Sequence, residues 1–246
     1  MKISIVTAVY NRRGTVGQAI QSVSAQDYGN VEHVLVDGGS TDGTLEILHA
    51  HASDGSVLIS EPDEGIYDAL NKGISRASGD VIGLMHSDDF FAHDRVLSDV
   101  AQCFKNPEID AVYGDLDYIS ASDTNRVIRS WTSGDYTRAK LKWGWMPPHP
   151  TLFLRISVFQ DLGYYDTSYR IAADYDAILR YFGKGNIRPA YIPEVLIKMR
   201  VGGESNRSLS KVIRKSREDY RALRANRVGG LGSLASKNLR KVKQFF

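Results

Sequence analysis

The sequence has few of the features that mark secreted, disulfide-stabilised or membrane-spanning proteins. Its 246 residues include one cysteine, Cys103, so no disulfide can form within the chain. Cys103 falls in a helix-like stretch and is interpreted as a small buried apolar residue, which fits a reducing, cytoplasmic setting. No run approaches the roughly 18 to 20 apolar residues that a membrane-spanning helix needs. The short β-rich run at 3–9 lacks the apolar core and cleavage site of a secretory signal.

Charge is nearly balanced over the whole chain but is unevenly distributed along it. The formal net charge is +2, from 31 Lys or Arg and 29 Asp or Glu. From Arg207 onward there are twelve basic residues against Glu218 and Asp219, a local net of +10 that leaves −8 for the rest. An acidic body with a basic tail predicts different partners for the two parts. We expect one α/β domain at 1–207 and a helical basic tail at 208–246.

The first half of the chain alternates β-rich runs with helical patterns. Strands are predicted at 3–9, 31–36, 57–60, 81–85 and 111–118, and helices at 15–25, 44–51, 65–77 and 94–105. This alternation with short connections predicts an open, mostly parallel sheet with right-handed crossovers and helices on both faces. In the less regular second half, 129–150 is predicted as a loop region, 151–154 as a strand, 172–182 as a helix, 190–200 as strand, and 211–226 as a tail helix.

Three acidic clusters follow the predicted strands: Asp37, the segment 61–64, and Asp88 with Asp89. Ligands of open parallel sheets bind in the crevice beyond the carboxyl ends of the strands, so the clusters indicate a site. Two adjacent carboxylates suit Mg²⁺ or Mn²⁺ bridging to a nucleotide diphosphate, although Asp88 alone would also serve as a helix cap. Asp37 begins a glycine-rich segment that permits close approach of a ligand, although an ordinary strand-to-helix loop also fits.

A second candidate for phosphate contact is Lys72. It lies four residues after Asp68, so the two side chains share one face of the predicted helix. Lys72 either offsets phosphate charge or forms a solvated ion pair with Asp68. The segment by itself favours the ion pair.

The order and spacing of these segments point to a known family. The segments are SIVTAVYN at 4–11, VDGGSTDGT at 36–44, EPDEG at 61–65, ALNKG at 69–73 and SDD at 87–89. The combination closely resembles family 2 glycosyltransferases of the GT-A fold. The resemblance is strong over about the first 90 residues and continues more loosely through HPT at 149–151, IAADYDAILR at 171–180 and GGES at 202–205. The chain is similar to small bacterial transferases that build exopolysaccharide or lipopolysaccharide side chains.

The resemblance implies a role for each matching residue. The half 1–118 would bind the nucleotide-sugar and the half 119–207 the acceptor. Asp88 and Asp89 match the metal motif, with Asp89 as the direct ligand of Mg²⁺ or Mn²⁺, and Asp174 matches the catalytic base. The nucleotide would be held by the base-pocket residues Thr7, Ala8 and Tyr10, by Asp37 on the nucleobase, and by Asp63 and Lys72 near the nucleoside or its phosphates.

The sequence departs from the family pattern at two positions. Ala173 stands where the family often has Glu, which leaves Asp176 as a rival for the base. His86 stands where the family often has Asp or Asn, which leaves the number of carboxylate ligands open. We also expect Arg180 to pair with Asp176 at i+4.

Two aromatic residues before Asp174 are candidates for the acceptor side. Trp145 and His149 lie in the loop-rich region, and aromatic faces suit sugar rings. A structural loop with packed aromatic side chains is an equally good interpretation. The segment GGES at 202–205 is interpreted either as a loop that closes over the site or as a simple turn.

By analogy with the family, the reaction is a single inverting displacement. A sugar would pass from a nucleotide-diphosphate-sugar to a hydroxyl of a saccharide or lipid-linked saccharide, with Asp174 accepting the proton. One rival is a nucleotidyltransferase, which would need a Gly-rich, Arg-containing loop after the first strand, unlike AVYNRRG. The other is a non-catalytic nucleotide-sugar-binding protein, which Ala173 keeps open.

The basic tail has its own candidate partner. Its predicted helix combines many Lys and Arg with Val212, Ile213, Tyr220 and Leu223, a composition that suits an anionic membrane surface. This favours a peripheral location on the inner face of the plasma membrane, with packing on the acidic body as the alternative. No nucleic-acid partner is expected, because the chain has no recognised nucleic-acid-binding motif.

Overall fold

The computed structural model describes residues 1–53, 55–201 and 209–242. Its strands are β1 (Ile3–Val9), β2 (Val31–Asp37), β3 (Val57–Ser60), β4 (Val81–Leu84), β5 (Phe90–Phe91), β6 (Ala111–Ile119), β7 (Val127–Trp131), β8 (Phe153–Arg155) and β9 (Pro189–Arg200). Its helices are α1 (Val16–Ser24), α2 (Thr44–His51), α3 (Ile66–Arg76), α4 (Val96–Cys103), α5 (Arg138–Leu141), α6 (Ile156–Leu162), α7 (Ala173–Gly183), α8 (Leu209–Ala225) and α9 (Leu231–Val242). A 3₁₀ turn covers His149–Thr151.

These strands form one sheet in the order β3-β2-β1-β4-β8-β6-β9-β5, with β7 pairing to β6. The strands β3, β2, β1 and β4 are parallel to one another, and the long β6–β9 pairing is also parallel. The short strand β8 is antiparallel to both β4 and β6 and joins the two parallel parts. The predicted α/β class with a mostly parallel sheet is confirmed.

Different helices cover the two faces of the sheet. Every residue of β1 is buried, as expected of a central parallel strand. Val6 and Ala8 pack in the cluster that includes α3 and α7. Ile3 and Ile5 pack in the cluster that includes α4, and Val9 packs with α1 and α2. The predicted helices on both faces are therefore present.

Gly73 sets how closely α3 approaches the sheet. A Cβ atom there would overlap Cγ1 of Val6 and would lie 3.0 Å from Cγ2 of Val36. Both valines are fully buried, so neither can move aside without disturbing the core. Gly73, the glycine of the ALNKG segment, therefore allows α3 to pack closely against the sheet.

The tail helices α8 and α9 pack on the body of the protein. Ala222 and Leu223 are fully buried in the same core cluster as α7. Lys237 lies 2.8 Å from Asp219, and both side chains are buried. One face of the tail thus belongs to the folded core, as in the packing alternative, while its other face is exposed.

The local pattern predicted some elements and missed others. The bounds of β1, α2 and β3 agree with the prediction. The region 129–150, predicted as a loop, contains the end of β7, the helix α5 and the start of the 3₁₀ turn. The elements β5, α6 and α9 were also missed. Among the described residues, no helix has the length and apolar character that crossing a membrane requires.

Candidate active site

The turn after β4 presents two adjacent carboxylates, Asp88 and Asp89. Asp89 is fully buried, and its Oδ1 accepts a hydrogen bond of 3.1 Å from the backbone N–H of Arg200. Within the described part of the chain, Oδ2 of Asp89 has no hydrogen-bond partner. Burial, followed by the negative charge of Asp88, raises the pKa of Asp89 well above its usual value. A buried carboxylate with a free oxygen and a raised pKa fits a cation ligand.

The strand pairing explains why Arg200 lies beside this turn. The two residues of β5 follow Asp89 directly and pair antiparallel with β9, with Phe90 opposite Lys198. The end of β9 therefore returns to the Asp88–Asp89 turn. The Arg200 guanidinium donates hydrogen bonds to the carbonyl oxygen of Asp88 and to Oε1 of Gln18. Arg200 was missed in the sequence because only this pairing places it here.

Asp174 lies in the first turn of α7 and is partly exposed. Its Oδ1 accepts a 2.7 Å hydrogen bond from the backbone N–H of Tyr175 and lies 3.3 Å from the hydroxyl of Tyr67. That hydroxyl also donates to the carbonyl of Ile171 at 2.7 Å. Burial, and then the charge of Asp174, raise the pKa of Tyr67 well above its usual value. Tyr67 was not predicted as a site residue, although it precedes the noted Asp68 on α3.

Two histidines, His86 and His149, are affected by the charges of the site carboxylates. Burial lowers the pKa of His86, and the charges of Asp88 and Asp174 both oppose that shift. His149 is buried, with its Nε2 2.8 Å from the hydroxyl of Tyr165 and its ring 6.1 Å from the His86 ring. Burial lowers the pKa of His149 to about 4, with Asp174 acting in the opposite direction. His86 therefore lies within the field of both Asp88 and Asp174.

Tyr118 gives a second measure of this convergence. Burial raises its pKa, Arg129 lowers it, and the charges of Asp89 and Asp174 both contribute to the rise. Charges in a protein interior are screened less than charges in water, so Asp89 and Asp174 act on Tyr118 from one common region of the protein. Three of the predicted site residues, Asp88, Asp89 and Asp174, thus share one neighbourhood.

The glycine-rich segment after β2 is shaped by Asp37. Its carboxylate is fully buried and accepts hydrogen bonds from the backbone N–H groups of Gly39 and Ser40 at 3.2 Å, and from Oγ of Ser60 at 2.8 Å. These contacts hold the loop and close the Asp37 carboxylate to solvent, and its contact with a nucleobase stays a prediction.

Asp63 comes close to the same segment. Its Oδ2 occupies the space beside Gly38 where a Cβ atom would otherwise lie, and its Oδ1 accepts a 2.8 Å hydrogen bond from the backbone N–H of Gly65. Tyr10 directly follows β1 and is 59% exposed, whereas Ala8, within β1, is 7% exposed. Asn11 connects the loop after β1 to the loop after β2, since its Oδ1 accepts a 2.9 Å hydrogen bond from the backbone N–H of Thr41.

Two further predicted residues are buried. Thr7 is fully buried, and its hydroxyl lies 2.9 Å from Nε2 of His33. Trp145 is 3% exposed, and its Nε1 donates to the carbonyl of Ser133 at 2.8 Å. Trp145 packs beside Phe182, as in the interpretation of a structural loop with packed aromatic side chains.

Asp176 and Lys72 are also engaged in structural contacts. Asp176 accepts a 2.8 Å hydrogen bond from Nδ2 of Asn226 and lies 3.4 Å from Arg180, which confirms the predicted i,i+4 pair. Asp176 therefore connects α7 to the residue that follows α8, and its role as a rival base stays a prediction. Lys72 lies 3.2 Å from Asp68 and 3.0 Å from Glu61, as in the ion-pair interpretation. The segment GGES at 202–205 lies outside the described residues.

A separate group of potential metal ligands lies at His93, Asp99 and Glu194. His93 lies 3.5 Å from Glu194, whose side chain is about half exposed. Unlike Asp89, these carboxylates are open to water, and exposed acidic groups of this kind are common without a metal. The Asp88–Asp89 turn is therefore the better candidate for a metal.

Comparison with known proteins identifies the chain as a glycosyltransferase and gives its family. The model of glycosyl transferase family 2 matches residues 4–163. The chain is 32% identical over 213 residues to a PGL/p-HBAD biosynthesis glycosyltransferase of Mycobacterium bovis, covering 85% of this chain and 80% of that protein. An uncharacterized glycosyltransferase of Mycobacterium tuberculosis is 32% identical over 181 residues, 72% of this chain and 68% of that one. The chain therefore belongs to glycosyl transferase family 2.

Solved structures share the fold at lower sequence identity. S. aureus TarS superimposes with a TM-score of 0.70 at 20% identity, covering 93% of this chain and 39% of the TarS chain. The mannosyltransferase PcManGT from Pyrobaculum calidifontis, in complex with GDP-Man and Mn²⁺, gives 0.70 at 17% identity, covering 96% and 68%. TarS 1–349 in complex with UDP-GlcNAc gives 0.70 at 19% identity, covering 93% and 66%. This chain thus spans well under half of full TarS and about two thirds of the other two chains.

Proposed function

We propose that the chain transfers a sugar from a nucleotide-diphosphate-sugar to an acceptor hydroxyl by a single inverting displacement, with Asp174 as the general base. The observation that supports this proposal is the setting of Asp174, whose Oδ1 is held by the N–H of Tyr175 and the hydroxyl of Tyr67, and whose charge acts on the same side chain, His86, as the charge of Asp88. Asp174 is partly exposed and has one oxygen, Oδ2, without a hydrogen bond among those described. A base needs such an accessible oxygen within hydrogen-bond reach of the acceptor.

In the proposed displacement, one bond forms, one bond breaks and one proton is transferred in a single step. The acceptor oxygen forms a bond to the anomeric carbon while the bond from that carbon to the diphosphate oxygen breaks. The electron pair of the broken bond leaves with the nucleoside diphosphate, and Asp174 takes the hydroxyl proton. General-base assistance of this kind is worth about 10²–10⁴-fold. The Tyr67 hydroxyl, 3.3 Å from Oδ1, helps to orient the carboxylate.

The donor is proposed to lie between the Gly38 loop and the Asp88–Asp89 turn. Asp63, beside Gly38, is a carboxylate placed to meet the nucleoside. Exposed Tyr10 offers an aromatic face at the same end of the sheet. The structural neighbours solved with UDP-GlcNAc or GDP-Man support a nucleotide-sugar donor for this fold.

A divalent cation, Mg²⁺ or Mn²⁺, is proposed to bind through Asp89, with Asp88 nearby. The free Oδ2 and the raised pKa of Asp89 are the observations that support this site. When bound, the cation would offset charge on the departing diphosphate. Arg200 contributes a fixed positive charge to the same turn through its contact with the Asp88 carbonyl.

The decisive experiment is Asp174→Asn, compared with the unchanged protein in a transfer assay and a binding assay. A screen of nucleoside diphosphates by thermal shift, with and without Mn²⁺, first identifies the nucleotide that binds. We expect Asp174→Asn to retain that shift and to lower transfer by about 10²–10⁴-fold. Full transfer activity in Asp174→Asn would refute the base assignment. Nucleotide binding without any turnover of a range of donors would favour the non-catalytic alternative.

A lipid-linked saccharide at an anionic membrane surface is proposed as the acceptor. On α9, Leu231 and Leu239 are 70% and 69% exposed, and with exposed Ala235 between them they lie four residues apart on one face. Trp143, 66% exposed, adjoins this helix, because its carbonyl accepts a 2.9 Å hydrogen bond from Oγ of Ser236. An apolar stripe with a neighbouring Trp on a basic tail is typical of interfacial binding.

The membrane proposal is tested by flotation with vesicles that contain an anionic lipid. Removing the tail would expose buried Leu223 and confuse binding with unfolding, so point variants are preferable. We expect the double variant Leu231→Ser, Leu239→Ser to lose most of the bound fraction. The matched double variant Val127→Ser, Ile128→Ser changes two exposed apolar residues on β7 and should float like the unchanged protein. Equal flotation of all three proteins would refute the apolar contact.

A further inference from the structure

The tail helix α8 contacts the backbone immediately before the proposed base. The Glu218 carboxylate accepts hydrogen bonds from three consecutive backbone N–H groups: those of Arg170 at 3.2 Å, Ile171 at 2.8 Å and Ala172 at 3.0 Å. Ala172 is the N-cap position of α7, and Asp174 follows two residues later. These contacts connect positions that are 46 to 48 residues apart in sequence.

The start of α7 has no side-chain cap of its own, because Ala172 at the N-cap position has no polar side chain. The first N–H groups of a helix have no partner within the helix. Of these, Glu218 binds the N–H of Ala172, and its other two hydrogen bonds hold Arg170 and Ile171, which precede the helix. Its negative charge also interacts favourably with the positive end of the α7 dipole.

Other contacts from the tail reach residues on the far side of Asp174. The Nζ atom of Lys237, on α9, lies 3.2 Å from the ring centroid of Tyr175. Asp219 holds this ammonium group at 2.8 Å. Asn226, after the end of α8, donates to Asp176 at 2.8 Å. Asp174 is therefore flanked on both sides by residues that the tail holds.

We propose that Glu218 is a positioning residue for the base, and that α8 completes the acceptor side of the active site. The inference rests on the proposed role of Asp174. Asp174 has its carboxylate fixed by a backbone N–H of α7 and by Tyr67, whose hydroxyl bonds to Ile171. Glu218 bonds to the same residue, Ile171, so it fixes the segment that supports both of these contacts.

The first test is Glu218→Gln, which keeps the side-chain length and removes the charge. Its amide NH₂ would face the N–H donors, so fewer of the three hydrogen bonds can form. We expect kcat to fall by about 10- to 100-fold, as for other small misplacements of a reacting group. The KM for the donor should change by less than about twofold, since the variant changes no contact that binds the donor equally in the ground state and the transition state. Glu46→Gln, an exposed residue on α2, is the matched control and should behave like the unchanged protein.

Backbone hydrogen exchange provides a readout that is independent of transfer activity. In Glu218→Gln, at least one of the amides of Arg170, Ile171 and Ala172 should exchange faster, because one of the two acceptor oxygens is replaced by NH₂, while the rest of the core keeps its protection. Glu46→Gln should leave all three amides unchanged. Unaltered exchange of all three amides in Glu218→Gln would overturn the proposed contact, whatever the kinetics show.

A double-mutant cycle determines whether Glu218 acts through Asp174. If it does, Glu218→Gln should cause less than about a twofold further loss in the Asp174→Asn background, because coupled residues are not additive. The same 10- to 100-fold loss in both backgrounds would overturn the positioning role, as would normal kcat in the single variant. Failure of the base assignment is recognised separately, because Asp174→Asn alone would then remain active.

Discussion

Asp63 and Gly38 share a space that only one side chain can fill. Oδ2 of Asp63 lies where a Cβ atom on residue 38 would stand, and Oδ1 accepts a hydrogen bond from Gly65 at 2.8 Å. The absent side chain at residue 38 thus allows a carboxylate from the loop after β3 to reach the loop after β2. This close approach places Asp63 at the proposed nucleoside site.

The variant Gly38→Ala should weaken nucleotide binding by displacing Asp63. We expect the Kd for the nucleoside diphosphate found in the thermal-shift screen to rise about 10-fold, equivalent to about 1.4 kcal/mol. Isothermal titration calorimetry measures the change directly. Gly29→Ala is the matched control, because a Cβ atom there has no heavy atom within 4 Å. Equal affinities for the two variants would contradict the proposed place of Asp63.

The variant Asp89→Asn should stabilise the protein when no divalent metal is present. The folded-state pKa of Asp89 is raised above the unfolded value, so the folded protein binds more protons between the two values. The stability that this group contributes therefore falls as pH rises from the unfolded pKa towards the folded pKa. We expect Tm at pH 7 to rise by about 2–4 °C for each kcal/mol that the neutral side chain recovers.

The same variant should lose any stabilisation by Mn²⁺. Scanning calorimetry with and without Mn²⁺ makes the comparison. Asp99→Asn, in the cluster with His93 and Glu194, is the control and should keep the Mn²⁺ effect. If Mn²⁺ still raises the Tm of Asp89→Asn but not that of Asp99→Asn, the metal binds at the cluster of His93, Asp99 and Glu194. The proposed mechanism would then be contradicted.

Acid should destabilise the protein through His33. This side chain is 5% exposed, and burial lowers its pKa to about 4. The unfolded chain takes up a proton near pH 6.5 and the folded protein does not, so stability is lost as pH falls from about 6.5 to 4. The loss from one such histidine is on the order of 3 kcal/mol.

Urea unfolding at several pH values measures this loss. The variant His33→Gln should show a smaller decrease in unfolding free energy between pH 6.5 and 4 than the unchanged protein. His49→Gln, at an exposed position of α2, should show the full decrease. The same decrease in both variants would show that His33 is not responsible.

Asp174 and Asp176 should separate catalysis from stability. Asp176 bonds to Asn226 and Arg180 and is 6% exposed, so Asp176→Asn should lower the unfolding free energy by about 1–3 kcal/mol. Its kcat at a temperature where it is folded should remain within a few-fold of normal. Asp174→Asn should show the reverse pattern. A larger loss of kcat in Asp176→Asn than in Asp174→Asn would favour Asp176 as the base.

Much of the nucleotide-side architecture follows from local sequence patterns. Apolar runs such as 3–9 are long enough to show a buried strand, and the acidic residues that follow them mark the strand ends. Asp88, Asp89 and Asp174 were predicted in this way and from the family resemblance, and the structure brings them together. Their chemical roles remain predictions.

The elements and contacts that were missed depend on distant parts of the chain. The two residues of β5 are a strand only because β9 pairs with them, and β7 is mostly exposed and pairs, among the described strands, with β6 alone. In the sequence, Glu218 is one acidic residue in a basic helix. Its role is visible only in the structure, where it accepts hydrogen bonds from three backbone N–H groups. The burial of Thr7 and Trp145 likewise depends on neighbours that periodicity does not identify.

The hydrogen bonds from Glu218 to the start of α7 limit how this enzyme can be recombined. A chimera that grafts the C-terminal helices of a relative onto this body would have to carry a carboxylate at the position of Glu218. It would also need a match for the Asp219–Lys237 pair against Tyr175. The catalytic body and the tail are therefore best exchanged as one unit in engineering for a new acceptor.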